Sequence, residues 1–301
     1  MRRRDILAFF AGAAVPWPLV TIAQQSERLR VLGVLIGVAE NDRANPSRVA
    51  GFQQGLQELG WIEGRNIRIH YRWAADTDRM RTVAQELVAL QPDVLVASST
   101  PAVAALLRET RTTPIVFVTA SDPVGDGFVE NLARPGGNAT GFTNNLSSMG
   151  GKSLELLREI APTISHAGVM FNPDTAPSGG SYFVPPLEAA ATSLAVRPIA
   201  IAVRNPTEIE SAFAAIGRES GGGLIIMPDN FTTVHRGLIV ALAARHRVPA
   251  IYPFRYFATD GGLMSYGVDL IELYRRAPSY VDRILKGASP AELSVQAPTK
   301  L

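Results

Sequence analysis

The sequence contains no cysteine and only four histidines among its 301 residues. The absence of cysteine excludes disulfide bonds, thiolate catalysis, iron–sulfur clusters and cysteine-based zinc sites. The histidines are scattered, and no two of them have the HExxH spacing of a zinc protease; they are His70, His166, His235 and His246. We therefore expect no metal site.

Charged residues are also few, at 19% of the chain against 47% hydrophobic residues. This composition is typical of a folded globular protein and argues against a disordered or collagen-like chain. At this length a single hydrophobic core stops growing, so we expect two lobes of somewhat over ~100 residues each.

A long apolar run occurs only at the N-terminus. Residues 2–4 are three arginines, residues 6–20 form an uncharged and mostly apolar run, and residues 21–23 (TIA) supply small side chains at a cleavage position. The run is shorter than the ~20 residues of a membrane-spanning helix. We predict that residues 1–23 are a cleaved export signal. Residues 3–7 (RRDIL) also fit a twin-arginine signal, and the alternative is an N-terminal helix that frays.

The charge of the chain depends on this leader. Removing residues 1–23 takes away three arginines and one aspartate, so the formal charge of +2 falls to zero. The basic pI is therefore no indication of nucleic-acid binding. No cysteine follows the apolar run, so a lipid anchor is excluded, and we expect a monomeric, periplasmic protein.

After the leader, short apolar runs alternate with helical patterns. This order predicts an α/β fold with parallel sheets and right-handed crossovers. A stretch rich in glycine, proline and asparagine, residues 134–145, separates two such series. The predicted strands are 30–37, 66–73, 93–97 and 114–119 in the first series, and 167–171, 198–203, 223–227, 249–254 and 262–266 in the second. The last long helix is predicted over 270–286.

The two series also resemble each other locally. Residues 93–127 and 223–262 each contain a strand, a polar turn, a helix with arginine near its end, a second strand and an Asp-Gly turn. Any βαβ unit has some of these features. The functional interpretation is that two lobes face each other and that their polar turns meet across a crevice.

Ligands of open α/β sheets bind beyond the carboxyl ends of the strands. Hydroxyl groups at the start of a helix suit an anionic group, carboxylates can hold an ammonium group, and a tyrosine ring can stack on an apolar group. A turn or capping role is an equally good interpretation for any one of these residues. The candidate binding residues are Ser99, Thr100, Ser121, Asn172, Asp229, Tyr266 and Asp269.

Sequence motifs of common enzymes are absent. Gly33 and Gly37 do not form a G-x-G-x-x-G turn, and neither a P-loop nor a G-x-S-x-G nucleophile motif occurs. His235 and His246 are better explained as surface or capping residues than as acid–base catalysts. We therefore expect a binding protein with no catalytic residues and no cofactor.

Five segments carry a likeness to a known family: residues 51–74, 114–143, 150–162, 231–257 and 265–287. They resemble the ABC-transporter substrate-binding proteins, a family that includes tryptophan- and tyrosine-type solute-binding proteins. The resemblance implies a type I periplasmic binding fold, in which hinge strands join two doubly wound parallel-sheet lobes. It also implies capture of a small solute, an amino acid or related carboxylate, by hinge closure. The solute would then be delivered to a membrane permease that works with a cytoplasmic ATPase.

The same resemblance assigns residues 29–144 plus 269–287 to lobe one and residues 145–268 plus 288–301 to lobe two. Lobe one would hold the solute through Ser99, Thr100 and Ser121; lobe two would approach it through Asp229, Tyr266 and Asp269, with Asn172 as an addition. Relatives continue beyond residues 296–300 into another strand and helix, so we expect a shortened C-terminus with an incomplete sheet edge or hinge.

Three alternatives stay open. A sensor-type binding protein has the same fold and leader but delivers its ligand to a receptor. A cytoplasmic regulator with this effector fold would carry a basic helix-turn-helix where the leader stands. An exported α/β enzyme would convert its ligand chemically.

Overall fold

A computed structural model of the chain describes residues 28–144 and 148–300, so the predicted export signal lies outside the described residues. These residues form two α/β lobes, each built on a five-stranded sheet. All strand pairs in both sheets are parallel. In the described ranges, the helices all fall short of the length and apolar character needed to span a bilayer.

The first lobe contains five strands and five helices. Its sheet has the order β2-β1-β3-β4-β5, so β1 and β3 are neighbours although β2 lies between them in sequence. The strands are β1 (Arg30–Ile36), β2 (Ile67–Trp73), β3 (Val94–Ser98), β4 (Ile115–Ala120) and β5 (Ala139–Thr143). The helices are α1 (Asn45–Glu58), α2 (Thr77–Ala89), α3 (Thr100–Glu109) and, from the C-terminal part of the chain, α10 (Leu270–Arg276) and α11 (Pro278–Leu285).

The second lobe repeats this arrangement. Read from the other edge, its sheet has the order β7-β6-β8-β9-β10, which matches the order of the first lobe. Its strands are β6 (His166–Phe171), β7 (Arg197–Ala202), β8 (Gly222–Ile226), β9 (Ala250–Tyr252) and β10 (Met264–Ser265). Its helices are α4 (Ser148–Ile160), α5 (Val184–Leu194), α6 (Pro206–Ile216), α7 (Asn230–Val234), α8 (Arg236–His246) and α9 (Arg255–Thr259).

The central strands are apolar because helices cover both faces of each sheet. Every residue of β3 is buried, as expected for a parallel strand with no solvent-facing side. One cluster of buried apolar side chains includes members from both lobes, among them Val34 and Phe52 of the first and Ile226 and Tyr252 of the second. The lobes therefore share apolar packing.

The C-terminal part of the chain belongs mainly to the first lobe. Helix α10 packs closely on α1, and a Cβ atom added to Gly55 would lie only 2.3 Å from the carbonyl oxygen of Arg275. The helix predicted over 270–286 is two helices, because Pro278 cannot donate the backbone hydrogen bond that would continue α10.

One boundary differs from the prediction. The family resemblance implies lobe two for residues 288–301, whereas residues 288–300 lie against lobe one. The amide of Gln296 donates to the carbonyl of Gly141 at 2.9 Å, and its own carbonyl accepts from the amide of Thr143 at 3.0 Å. This segment therefore continues the outer edge of the first sheet beside β5, which satisfies backbone groups that would otherwise be unpaired.

Candidate functional site

A small cavity lies between the two lobes at the carboxyl ends of the strands. Its volume is about 50 Å³, and residues of both lobes line it. It adjoins the ends of β1 and β3 in the first lobe and the end of β8 in the second. These are the points where the strand order of each sheet reverses, and crevices at such points are the usual ligand sites of open α/β sheets. We call it the cleft cavity.

On the first lobe, hydroxyl groups follow β3 directly. Ser98 is buried and forms a hydrogen bond with the hydroxyl of Tyr274 on α10. Ser99 caps α3 by accepting a hydrogen bond from the amide of Ala102 at 3.3 Å. Its φ of +114° is a value that residues other than glycine rarely adopt. The backbone is therefore strained where Ser99 and Thr100 line the cavity.

Ser121 follows β4 and touches the other lobe. Its hydroxyl lies 2.8 Å from the side-chain oxygen of Asn144, to which it donates, and 3.3 Å from the carbonyl oxygen of Pro228. Asn144 stands where the chain leaves the first lobe, and Pro228 follows β8. Ser121 therefore joins the two lobes directly at the wall of the cavity.

The carboxylate of Asp229 holds the second lobe's side of the cavity together. It accepts hydrogen bonds from the amide of Asn172 at 2.6 Å, from the amide of Phe231 at 2.9 Å and from the hydroxyl of Thr175 at 2.5 Å. Burial raises the pKa of Asp229 to about 6, although the three donors act in the opposite direction. Asp229 thus caps α7, ties the ends of β6 and β8 together, and lines the cavity.

Arg48 and Tyr256 line one side of the cavity, and Arg236 lies beside them. Arg236 of α8 contacts the carboxylate of Asp42, in the first lobe, at 2.5 Å and that of Asp260, in its own lobe, at 2.8 Å. Arg48 of α1 lies over the ring of Tyr256 with its guanidinium carbon 5.0 Å from the ring centroid, and Arg236 lies near the same ring at 5.3 Å. The two lobes are therefore in contact through charged and aromatic groups.

The structure brings four of the seven predicted residues together at this cavity: Ser99, Thr100, Ser121 and Asp229. The other three lie elsewhere. The backbone amide of Asn172 donates to the carboxylate of Asp229. The side-chain oxygen of Asn172 accepts from the backbone amide of Asp174 at 2.7 Å.

Tyr266 and Asp269 line two other cavities. Tyr266 borders a cavity of about 30 Å³ within the second lobe, together with Tyr182. Asp269 caps α10 by accepting from the amide of Glu272 at 3.2 Å and pairs with Lys300 at 3.1 Å. Burial alone would raise the pKa of Asp269, but Lys300 and the capping bonds lower it below its ordinary value. Its carboxylate thus serves the helix and the C-terminal segment.

Several lining residues escaped the sequence analysis. Three of them lie on helices, whereas the predicted binding residues follow strand ends: Arg48, Tyr256 and Tyr274. A signal for Arg48 exists, because α1 begins directly after the loop that follows the central strand β1. Asn45 fixes this loop by donating to the carbonyls of Ala39 at 2.8 Å and Glu40 at 3.1 Å. The first turn of α1 is thereby held beside the switch point.

Two matching parallel-sheet lobes with a polar cavity at their strand ends define a protein of the type I periplasmic binding class. The family model described as "ABC transporter substrate binding protein" matches residues 34–301. The chain belongs to that family of substrate-binding proteins.

Three similar proteins place the chain more closely. A tyrosine-binding protein of Clostridioides difficile (strain R20291) is 26% identical over 246 residues, which are 81% of this chain and 70% of that protein. A structure of an ABC domain in complex with L-Trp from Streptococcus pneumoniae has a TM-score of 0.82 at 23% identity, with 90% of each chain covered. A ligand-free, open substrate binding protein with adhesive properties from Clostridium difficile has a TM-score of 0.65 at 24% identity, again with 90% of each chain covered.

Proposed function

We propose that this protein is the extracytoplasmic solute-binding component of an ABC importer. It captures an amino acid or a related carboxylate between its lobes by hinge closure and delivers it to a membrane permease that works with a cytoplasmic ATPase. Residues 1–23 direct its export to the periplasm, where it works as a monomer. Solute contacts come from Ser99, Thr100 and Ser121 of the first lobe and from Asp229 of the second.

The observation that carries this proposal is the cleft cavity itself. Hydroxyl groups of Ser99, Thr100 and Ser121 face it from one lobe, and Asp229 and Thr233 line it from the other. A solute held between them gains contacts from the second lobe only when the lobes meet. Binding energy of this kind favours closure by as much as the solute binds the closed form more tightly.

The comparisons support an amino acid as the solute. One relative is described as a tyrosine-binding protein, and one structural neighbour contains L-Trp. The chain also superposes better on the L-Trp complex, with a TM-score of 0.82, than on the ligand-free, open structure, with 0.65. This agrees with the contact between the lobes seen here.

Isothermal titration calorimetry with L-tyrosine, L-tryptophan and other amino acids tests the proposal. We expect saturable one-to-one binding of at least one of them, and mass spectrometry should recover it chemically unchanged. Thr100→Val, which removes one cavity hydroxyl, should weaken binding about 5- to 15-fold, the effect of one net hydrogen bond. Thr112→Val, at an exposed threonine of the same lobe, should leave it unchanged. Chemical conversion of the solute, or no binding across the panel, would overturn the proposal.

A further inference from the structure

We infer that the guanidinium group of Arg48 is the anchor for the solute's carboxylate. The inference rests on the proposed function and assigns the carboxylate end of the solute to the first lobe, beside the first turn of α1. None of the residues predicted from the sequence to contact the solute carries a positive charge.

The first observation is that Arg48 is a buried cation without a counter-charge. Its exposed fraction is 6%. Among residues 28–144 and 148–300, its guanidinium forms neither an ion pair nor a hydrogen bond. It lies over the ring of Tyr256 in a cation–π contact. A guanidinium stays protonated in proteins, and a buried charge without a partner is costly. An anion bound here would remove that cost.

The second observation is that the neighbouring cations are already neutralised. Arg236 contacts both Asp42 and Asp260, and Lys300 contacts Asp269. The carboxylate of Asp42 also accepts from the amide of Ala44 at 2.9 Å, so it is engaged on both oxygens. Arg48 is therefore the buried basic group in this region that still has a full set of donors to offer.

The third observation is that hydroxyl groups line the cleft cavity together with Arg48. The hydroxyl of Thr100 lines the same space, and so do the hydroxyls of Ser98 and Tyr274, which share one hydrogen bond and so keep one proton between them to donate to a carboxylate oxygen. Arg48 also borders a larger cavity of about 550 Å³, which residues 267–271 line as well. We assign the carboxylate to the cleft side, because the hydroxyl groups gather there and an arginine fork matches a carboxylate in two bonds.

The ring of Tyr256 does not replace such a partner. The stabilisation that a cation gains over an aromatic ring is less than the cost of burying an unpaired charge. This contact with the ring is not a hydrogen bond, so the guanidinium N–H groups remain able to donate to an anion. Tyr256 thus orients the group for a ligand.

Paired ligands that differ only in the carboxylate give the test. Calorimetry compares L-tyrosine with tyramine, and L-tryptophan with tryptamine, on the unmodified protein and on Arg48→Met, Arg48→Lys and the control Arg43→Met. Arg43 is exposed and lies five residues before Arg48. The unmodified protein and Arg43→Met should bind the amino acid at least about 100-fold more tightly than its amine. Arg48→Met should lose this preference, and Arg48→Lys should keep part of it.

The outcomes separate the two proposals. If the unmodified protein binds an amino acid and Arg48→Met keeps the full preference over the amine, the role of Arg48 is overturned while the proposed function stands. Equal binding of amino acid and amine by the unmodified protein also overturns the role of Arg48. This result does not depend on whether any variant folds. If the unmodified protein binds no amino acid of the calorimetry panel, the proposed solute class fails and the inference with it. If it binds a different amino acid of the panel, that amino acid and its decarboxylated amine form the test pair.

Discussion

The carboxylate of Asp42 in the first lobe lies 2.5 Å from the guanidinium of Arg236 in the second. Their side chains are only 8% and 11% exposed, so water screens this ion pair little. Arg236 keeps a second carboxylate, Asp260, within its own lobe. Opening the cleft therefore breaks the contact with Asp42 and leaves Arg236 paired, which makes this ion pair a latch between the lobes.

Replacing Asp42 by alanine should favour the open form. A hydrogen bond to a charged group contributes ~1.5–3 kcal/mol, so solute affinity should fall about 10- to 100-fold. Calorimetry measures the change. The matched control is Glu58→Gln, which removes the exposed pair with Arg275 inside the first lobe and should leave affinity unaltered. An Asp42 variant that binds as tightly as the unmodified protein would show that the latch has no part in closure.

The backbone at Ser99 should be measurably strained. Ser99→Gly and Ser99→Ala both remove the capping hydroxyl, but only glycine adopts a φ of +114° without cost. Relief of such strain is ~1–3 kcal/mol, so the glycine variant should have the higher free energy of unfolding of the two by about 1 kcal/mol or more. Urea denaturation compares them. Equal stability, or a more stable alanine variant, would contradict the assignment of strain.

Asp229→Ala should destabilise the protein as well as weaken binding. The substitution leaves the amide of Asn172 and the hydroxyl of Thr175 without their acceptor and removes the cap of α7. A cap contributes ~1 kcal/mol and a buried unpaired donor costs ~1–3 kcal/mol, so we expect a loss of at least ~2 kcal/mol in the free energy of unfolding. Asp174→Ala, at an exposed aspartate nearby, is the control. If Asp229→Ala unfolds at the same concentration of denaturant as the unmodified protein, this structural role of Asp229 is refuted.

Acid should favour the closed form through Asp126. Burial raises its pKa to about 6, the amide of Ser178 in the second lobe opposes the rise, and the charge of Asp122 adds to it. Opening removes the burial that the second lobe supplies and so lowers the pKa toward its ordinary value, while Asp122 stays beside Asp126; the closed form therefore binds the proton more tightly. Lowering the pH from 7.5 to 5 should therefore shift the free protein toward closure, and raising it should reverse the shift.

Small-angle scattering measures this effect as a smaller radius of gyration at pH 5. Asp126→Asn should remove the pH dependence, while Asp78→Asn, at an exposed carboxylate on α2, should retain it. Burial also raises the pKa of Asp229 to about 6, so a pH dependence that persists in full in Asp126→Asn would assign the effect to Asp229 instead. A radius that is the same at both pH values would argue against the assignment.

The sequence predicts the sheet strands well where burial is complete. Strands β1, β3 and β4 are continuous apolar runs because helices cover them on both faces. Strand β5 escaped notice because its sequence, ATGFT, contains a glycine that close packing requires: a Cβ atom on Gly141 would lie 1.9 Å from the carbonyl oxygen of Phe117. Local propensity could not reveal a requirement set by the neighbouring strand.

The site was predictable only in part for a related reason. The expectation that ligands bind beyond the strand ends predicted Ser99, Thr100, Ser121 and Asp229, because a parallel sheet gathers those ends at one edge. It did not include Arg48, which lies on helix α1 and contacts a tyrosine of the other lobe. Nor could it show that Asp269 is occupied by Lys300, a contact between the start of α10 and the end of the described chain.

The decisive measurement is a crystal structure of the protein with L-tyrosine or L-tryptophan bound. We expect one amino acid molecule in the cleft, touched by both lobes, with its carboxylate on Arg48 and hydroxyl groups of the first lobe around it. A molecule bound to the outside of one lobe, or between lobes that stay apart, would contradict capture by closure.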